Sequence, residues 1–234
     1  KLIHGGLRYL EQFEFKLVRE ALIEREVLLN SAPHIIWPLK FVLPHANHLR
    51  PKWMIRIGLW LYDHLAARKK LPASESVNLK GNLLGAPLKD IFKTGFTYAD
   101  CWVDDARLVV LNALDAKQRG ATIRTRTKLT SANRYKDYWE ATLNNQETVC
   151  AKVIVNAAGP WVTDVLTRSL DINTDKKVRL VKGSHIVVNS LYVGNHAYIL
   201  QNKDNRIVFA IPYEGKFTLI GTTDVPYTCL LYTS

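Results

Sequence analysis

Cysteine is scarce in this chain. Only Cys101, Cys150 and Cys229 occur in 234 residues, with no C-x-x-C and no paired histidine spacing. An odd, unmatched set excludes a disulfide framework, argues against a zinc site and points to a reducing compartment. With 12 glycines and 9 prolines the chain has too few of either for a collagen-like or low-complexity protein. No window approaches the ~18 consecutive apolar residues of a membrane-spanning helix. No self-similar period marks a repeat array, and the start lacks the basic, apolar, small-residue order of a signal peptide. A G-x-G-x-x-G turn, the usual cradle for a dinucleotide pyrophosphate, is also missing.

What is present describes a folded globular protein. Hydrophobic residues make up 47%, and 32 Lys+Arg against 21 Asp+Glu leave a net charge of +11. The length allows one large domain or two smaller ones. Such a charge suits phosphate metabolites, acidic lipid or nucleic acid. The cations are scattered over helices and strands without a groove-reading or RNA-stacking motif, which argues against nucleic acid.

Periodicity organises the chain. Leu10, Phe13, Leu17, Ala21 and Leu28 predict an amphipathic helix over 9–30, which Pro33, Pro38 and Pro44 then break. Residues 50–70 read as a second helix opening on Pro51 and ending in Arg68, Lys69 and Lys70. Its apolar face of Trp53, Ile57, Trp60, Leu61 and Leu65, flanked by Arg50, Lys52, Arg56 and Arg68, fits either an interfacial helix on anionic lipid or a buried helix with surface cations. Residues 71–97 read as a loop-rich connection. Asp104 or Asp105 caps a helix that Gly120 ends. Strands are expected at 121–132 and 138–143, and a buried one at 151–155 that turns through Asn156, Ala157, Ala158, Gly159 and Pro160 into a helix from Trp161. Short β-rich runs at 184–189, 197–201, 206–212 and 217–221 predict an antiparallel sheet.

Two places carry chemistry. The small residues of VNAAGPW let a backbone approach a flat or phosphorylated ligand. In KLIHGGLRYL (1–10), Gly5-Gly6 permits a tight path, and His4, Arg8 and Tyr9 gather an imidazole, a guanidinium and a phenol. These suit proton transfer, bidentate phosphate binding and neutral hydroxyl donation. VNAAGPW fits close strand-to-helix packing equally well, and on composition alone KLIHGGLRYL fits better as an exposed Arg and a satisfied His at a helix start.

KLIHGGLRYL closely resembles a segment of the FAD-dependent glycerol-3-phosphate dehydrogenases, of the bacterial respiratory type. HLRPKWMIRIGLWLYDHL (48–65), YADCWVDDARLV (98–109), VNAAGPWV (155–162) and KGSHIVV (182–188), followed by AYILQN, RIVFAIP and IGTTD, resemble the same family in the same order. The NAAGPW turn is shared more widely among flavin amine and hydroxyacid oxidases.

This resemblance implies a mixed α/β fold: part of a Rossmann-like FAD-binding domain (1–30 and 98–175), a helical and loop insertion (31–97) and part of an antiparallel-sheet substrate or cap domain (176–228). It implies noncovalent FAD, oxidation of sn-glycerol 3-phosphate to dihydroxyacetone phosphate, and electron transfer to membrane quinone from the inner face of the cytoplasmic membrane. Lys1, Leu2, Ile3 and His4 should lie along the flavin, with Ala157, Ala158, Gly159 and Trp161 also at the cofactor. Arg8 and Tyr9 should grip the substrate phosphate. The C2 hydroxyl needs a base within about 2.6–3.2 Å; His4 and His185 are the candidates, and His185 fits a structural place in the sheet equally well. No metal is expected, and the oligomeric state, a homodimer included, stays open. The family's distal arginine and its glycine-rich Lys/Thr segment fall beyond residue 234, and CLLYTS (229–234) departs from the family as foreign or frame-shifted sequence would, so the chain reads as a piece of a longer protein. Competing readings are a flavin-dependent amino-acid or 2-hydroxyacid oxidase of the same fold and a basic membrane- or nucleic-acid-binding module.

Overall fold

The computed structural model describes residues 1–67, 69–175, 178–204, 206–223 and 225–227. Arg68, Asp224 of the GTTD run and the CLLYTS ending with Cys229 lie outside these described residues. The chain runs through β1 (Leu2–Ile3), a 3₁₀ turn (Leu7–Gln12), α1 (Phe15–Ser31), β2 (Ile36–His45), α2 (Lys52–His64), β3 (Glu75–Asn78), β4 (Thr94–Val103) and α3 (Asp105–Gln118). It continues through β5 (Leu129–Arg134), β6 (Trp139–Leu143), β7 (Glu147–Ala151), helical turns between Gly159 and Ser169, β8 (Val181–Lys182), β9 (His185–Asn189), β10 (His196–Gln201), β11 (Ile207–Tyr213), β12 (Phe217–Gly221) and β13 (Val225–Pro226). The mixed α/β class expected from the sequence is the class observed.

The elements divide into two compact units, Lys1–Leu114 with Gly183–Thr223, and Asp115–Lys182 with Asp224–Ser234. The first is built on an 8-stranded sheet of order β1-β4-β2-β10-β11-β12-β9, with β3 added beside β4. Every pairing is antiparallel except β2 with β10. Trp102 of β4 and Tyr213 of β11 bring their ring centroids within 6.2 Å although β2 and β10 stand between their strands, so the sheet curls. The boundaries read from the sequence are therefore cut differently here, because β2, β4 and β10 to β12 share one sheet. Pairing between strands so distant in sequence leaves no mark in local periodicity.

The helix ends at Ser31, ahead of the prolines expected to break it, and the segment that follows is a strand rather than the helix and loop expected for 31–97. Pro38 and Pro44 lie in β2, outside the stretch Lys40–Val42 that pairs with β10. A residue without an N–H is tolerated where a strand has one neighbour. Alternation then sends Leu39, Phe41 and Leu43 of β2 and Phe96 and Tyr98 of β4 into a core with Val18 and Leu22 of α1 and Leu59 and Tyr62 of α2. Phe41 and Tyr98 stack at 5.2 Å. The buried stripe of α1 is Val18, Leu22, Arg25, Glu26 and Leu29, while Leu17 of the expected stripe is 47% exposed and Phe13 78%. The hydrophobic period misled because charged Arg25 and Glu26 occupy core-facing positions. In α2 the inner face is Leu59 and Tyr62, and Trp53, Ile57 and Trp60 remain exposed.

In the second unit β5, β6 and β7 form an antiparallel three-stranded sheet, and the hairpin turn falls between Arg134 and Trp139. Residues 121–128, expected as strand, are irregular. Ala132, Ala141 and Leu170 form a small core, and the Ser169 hydroxyl donates to the Leu129 carbonyl at 3.0 Å. No helix among the described residues is long and apolar enough to cross a membrane.

Candidate functional site

The bend after β1 is tight for two separate reasons. Gly6 has φ +71, the left-handed region where a side chain is strained. Gly5 has no room: a Cβ there would stand 2.4 Å from Leu22 Cδ2 and 2.7 Å from the Tyr62 hydroxyl. The Gly6 N–H donates to His4 Nδ1 at 3.0 Å, so a neutral His4 ring carries its hydrogen on Nε2. The 3₁₀ turn follows directly. Leu7 and Leu10 pack against the core while Arg8 and Tyr9 stay exposed, and the Tyr9 N–H closes the turn on the Gly6 carbonyl at 2.8 Å. His4, Arg8 and Tyr9 are thus brought onto one short, fixed segment.

Beneath it lies a buried polar network that the sequence reading missed. The Gly5 N–H donates to the Tyr62 hydroxyl at 2.7 Å, and that oxygen lies 2.8 and 3.0 Å from the two carboxylate oxygens of Asp100. Arg25 Nη1 donates to Asp100 Oδ1 at 2.6 Å and to the Ala99 carbonyl at 3.1 Å. Arg25, Tyr62 and Asp100 are all buried. Burial, and then the Asp100 carboxylate, push the Tyr62 phenol well above its usual value. Burial raises the Asp100 carboxyl against the pull of Arg25. For Arg25 burial acts downward, but Asp100, with smaller contributions from Tyr62 and Cys101, raises the guanidinium above its usual value and holds it charged. Glu26 stands 3.8 Å from Arg25 Nη2, and neither of its oxygens has a hydrogen-bond partner among the described residues. The available signal was the alternation Phe96, Tyr98, Asp100, which puts a carboxylate on the covered face of β4.

His185 belongs to the opposite edge strand, β9. It pairs with Gly221, whose missing side chain makes the space for the imidazole: a Cβ there would lie 2.4 Å from His185 Cδ2. The Ser184 N–H donates to Thr223 Oγ1 at 2.9 Å, and the Thr223 N–H returns to the Ser184 carbonyl at 3.2 Å. These bonds hold the KGSH and GTT runs together. His185 itself is exposed.

VNAAGPW belongs to the second unit, and the KLIHGG bend to the first. The Asn156 amide donates to the Val162 carbonyl at 2.9 Å and its oxygen accepts from the Ala158 N–H at 3.3 Å, which shapes the turn from within. Gly159 has φ +54, and a Cβ there would meet nothing within 4 Å. Trp161 is 40% exposed. The expected buried strand at 151–155 is not formed: β7 ends at Ala151, and Val153 and Val155 are 70% and 82% exposed. Such a strand is buried only between neighbours, and none among the described residues pairs with it.

These features fit a flavin cofactor. Lys1 spends its N–H and its carbonyl on Val103, and edge strand β1 (Leu2–Ile3) pairs on one side only, which leaves its outer side open to a flat ligand. At Ala157, Ala158 and Gly159 the open space at Gly159 leaves the main chain accessible. A groove of about 390 Å³ walled by Lys52, Trp53, Arg56, Asn78 and Phe96 contains none of the residues that the sequence assigns to cofactor or substrate, while Lys52, Trp53 and Arg56 belong to the expected interfacial face of α2. Among the described residues no cluster of His, Cys, Asp and Glu could hold a metal ion.

Comparison with known proteins gives the family. The chain is 56% identical over 232 residues to the D-erythritol 1-phosphate dehydrogenase of Brucella abortus, covering 97% of this chain and 46% of that protein. It is 58% identical over 231 residues to the glycerol-3-phosphate dehydrogenase of Pseudomonas aeruginosa (97% and 44%), and 51% identical over 232 residues to the aerobic glycerol-3-phosphate dehydrogenase of Escherichia coli (97% and 46%). The chain therefore spans somewhat under half the length of these relatives. The glycerol-3-phosphate dehydrogenase from Bacillus halodurans, solved with FAD, matches at 27% identity and TM-score 0.66, covering 98% of this chain and 40% of that one. L-proline dehydrogenase from P. horikoshii, at 12% identity and TM-score 0.69 over 93% and 58% of the two chains, shares the fold. Residues 1–232 match the DAO family, described as FAD dependent oxidoreductase, and the chain belongs to that family.

Proposed function

We propose that the protein containing this chain oxidises sn-glycerol 3-phosphate to dihydroxyacetone phosphate and passes the electrons to a membrane quinone. The observation that carries this reading is Arg8, whose guanidinium stands exposed just after a pinned glycine bend. The relatives of this chain are named for dehydrogenation of glycerol 3-phosphate and of D-erythritol 1-phosphate. The planar fork of Arg8 binds two oxygens of the phosphate dianion, and the Tyr9 phenol donates to a third.

FAD supplies the acceptor for the hydride that leaves C2 with both electrons of its C–H bond. By the family resemblance, Lys1, Leu2, Ile3 and His4 would line that cofactor, and Ala157, Ala158, Gly159 and Trp161 would also contact it. The C2 hydroxyl must lose its proton as the carbonyl forms. His4 Nδ1 already accepts the Gly6 N–H, so His4 serves as an Nε2–H donor toward substrate or flavin. His185, exposed on β9, takes the proton.

The outer face of α2 attaches the protein to the inner face of the cytoplasmic membrane. Exposed Trp53, Ile57 and Trp60 enter the headgroup boundary, and Lys52 and Arg56 meet anionic lipid. A second reading, D-erythritol 1-phosphate as substrate, is favoured by the Brucella abortus relative. Both substrates present a phosphate to Arg8 and differ in the polyol. Steady-state rates of the full-length protein with each substrate decide between them: a clear preference for glycerol 3-phosphate supports the first reading, and a preference for D-erythritol 1-phosphate replaces it.

A further inference from the structure

We infer that Tyr62 is a positioning residue whose hydroxyl, aimed by the Arg25–Asp100 ion pair, fixes the His4–Gly5–Gly6 bend and through it the orientation of His4, Arg8 and Tyr9. This inference rests on the proposed active site and names the device that preorganises it.

A tyrosine hydroxyl has one hydrogen to give. Arg25 holds Asp100 from the other side, so the Asp100 carboxylate is the acceptor that takes the Tyr62 hydrogen. The Tyr62 lone pairs are then turned toward the Gly5 N–H, 2.7 Å away. The direction of each bond follows from the charge at the far end, and the chain Arg25, Asp100, Tyr62, Gly5 runs without a break through buried groups. One residue on, the Gly6 N–H meets His4 Nδ1 at 3.0 Å, so the same bend sets which His4 nitrogen carries the hydrogen. Tyr62 lies 57 residues beyond Gly5 in the chain and Asp100 a further 38; in space they form one column under the bend, because Asp100 lies on the helix-covered face of β4 and Tyr62 on the inner face of α2.

The ring of Tyr62 packs by itself. It meets Tyr98 edge-on at 5.8 Å, and Arg25 lies 5.9 Å from its centroid. Tyr62→Phe therefore keeps the apolar contacts and removes only the hydroxyl, which leaves the Gly5 N–H buried without a partner. An orphaned buried donor loosens the segment that carries it.

The test uses the full-length holoenzyme. Tyr62→Phe should retain wild-type FAD content, lower kcat with glycerol 3-phosphate by about tenfold, change KM by less than about threefold, and alter the absorption envelope of the bound flavin. Asp100→Asn keeps an acceptor oxygen and should show a smaller loss in the same direction. A merely structural hydroxyl would lower the melting temperature and leave kcat and the flavin spectrum at wild-type values, and that result overturns the inference. The flavin spectrum needs no substrate, so it reads the bend even if glycerol 3-phosphate is not turned over, an outcome that would overturn the proposed function alone. Should Tyr62→Phe fail to fold, hydrogen exchange at Gly5 in the wild type decides: strong protection supports the pinned bend, and rapid exchange contradicts it.

Discussion

Arg25 and Asp100, 75 positions apart in the chain, meet at 2.6 Å inside the first unit and are almost completely shielded from water. The pair joins α1 to β4 at the point where the chain must support the bend carrying His4 and Arg8.

Removing one member of such a pair is costly because the other charge stays buried. Asp100→Ala in the full-length protein should lose about 3–5 kcal/mol of stability. The double change Arg25→Met with Asp100→Leu, which removes both charges, should lose distinctly less. Urea unfolding of the three proteins checks this; equal losses in the single and double variants would show that the pair is not electrostatically coupled.

A second buried cluster gives a pH dependence. His196 Nε2 lies 2.8 Å from the Tyr198 hydroxyl, which itself donates to the Leu84 carbonyl, so His196 Nε2–H is the donor of that contact. Burial, and then Lys40, lower the His196 pKa below its ordinary 6.5. A depressed folded pKa means that the contribution is fully present above pH 6.5 and is lost as pH falls from there through the folded pKa. Melting temperatures measured from pH 8 down to 5 should fall in that window, and His196→Gln should flatten the fall. An unchanged slope in the variant would assign the loss to other groups.

Much of this fold was legible in the sequence because its signals are local. Asp104 caps α3 through the Arg107 N–H, Gly120 follows at φ +97, and the four short runs after residue 183 form β9 to β12. What could not be read depends on distant pairing. Pro38 and Pro44 signal that the helix has ended but not that β2 begins, and β2 sits inside the sheet because β4 and β10 flank it. Val153 and Val155 looked like a buried strand, but hydrophobicity does not say whether a neighbouring strand is at hand. At the site, His4, Arg8 and Tyr9 were visible as residue types suited to phosphate and proton chemistry. Arg25, Tyr62 and Asp100 were not, since a charged residue on a helix or strand reads as surface until its partner is known.

Arg8→Ala should weaken binding of glycerol 3-phosphate by roughly ten- to a hundredfold, the loss expected for one charge-assisted contact of about 1.5–3 kcal/mol. Arg8→Lys should recover part of it, because an ammonium lacks the planar fork. FAD content should not change, and turnover of glycerol, which carries no phosphate, should lose little. Equal losses on both substrates in steady-state kinetics would remove Arg8 from the phosphate site.

Attachment to acidic bilayers should depend on α2. Each cation near an anionic surface contributes roughly 1 kcal/mol, so Arg50, Lys52 and Arg56 replaced together by Gln should move the full-length protein toward the soluble fraction. Trp53→Ala with Trp60→Ala should act in the same direction. Sedimentation with phosphatidylglycerol vesicles measures both, and binding unaffected by either set would place the membrane surface elsewhere.

The most direct test of the account is the flavin itself. Full-length protein purified with its FAD is made anaerobic and titrated with sn-glycerol 3-phosphate while the visible absorbance of the flavin is followed. The account predicts complete bleaching, formation of dihydroxyacetone phosphate in a one-to-one ratio with reduced flavin, and strong slowing in His185→Ala with FAD still bound. A flavin that stays oxidised in excess glycerol 3-phosphate would contradict it.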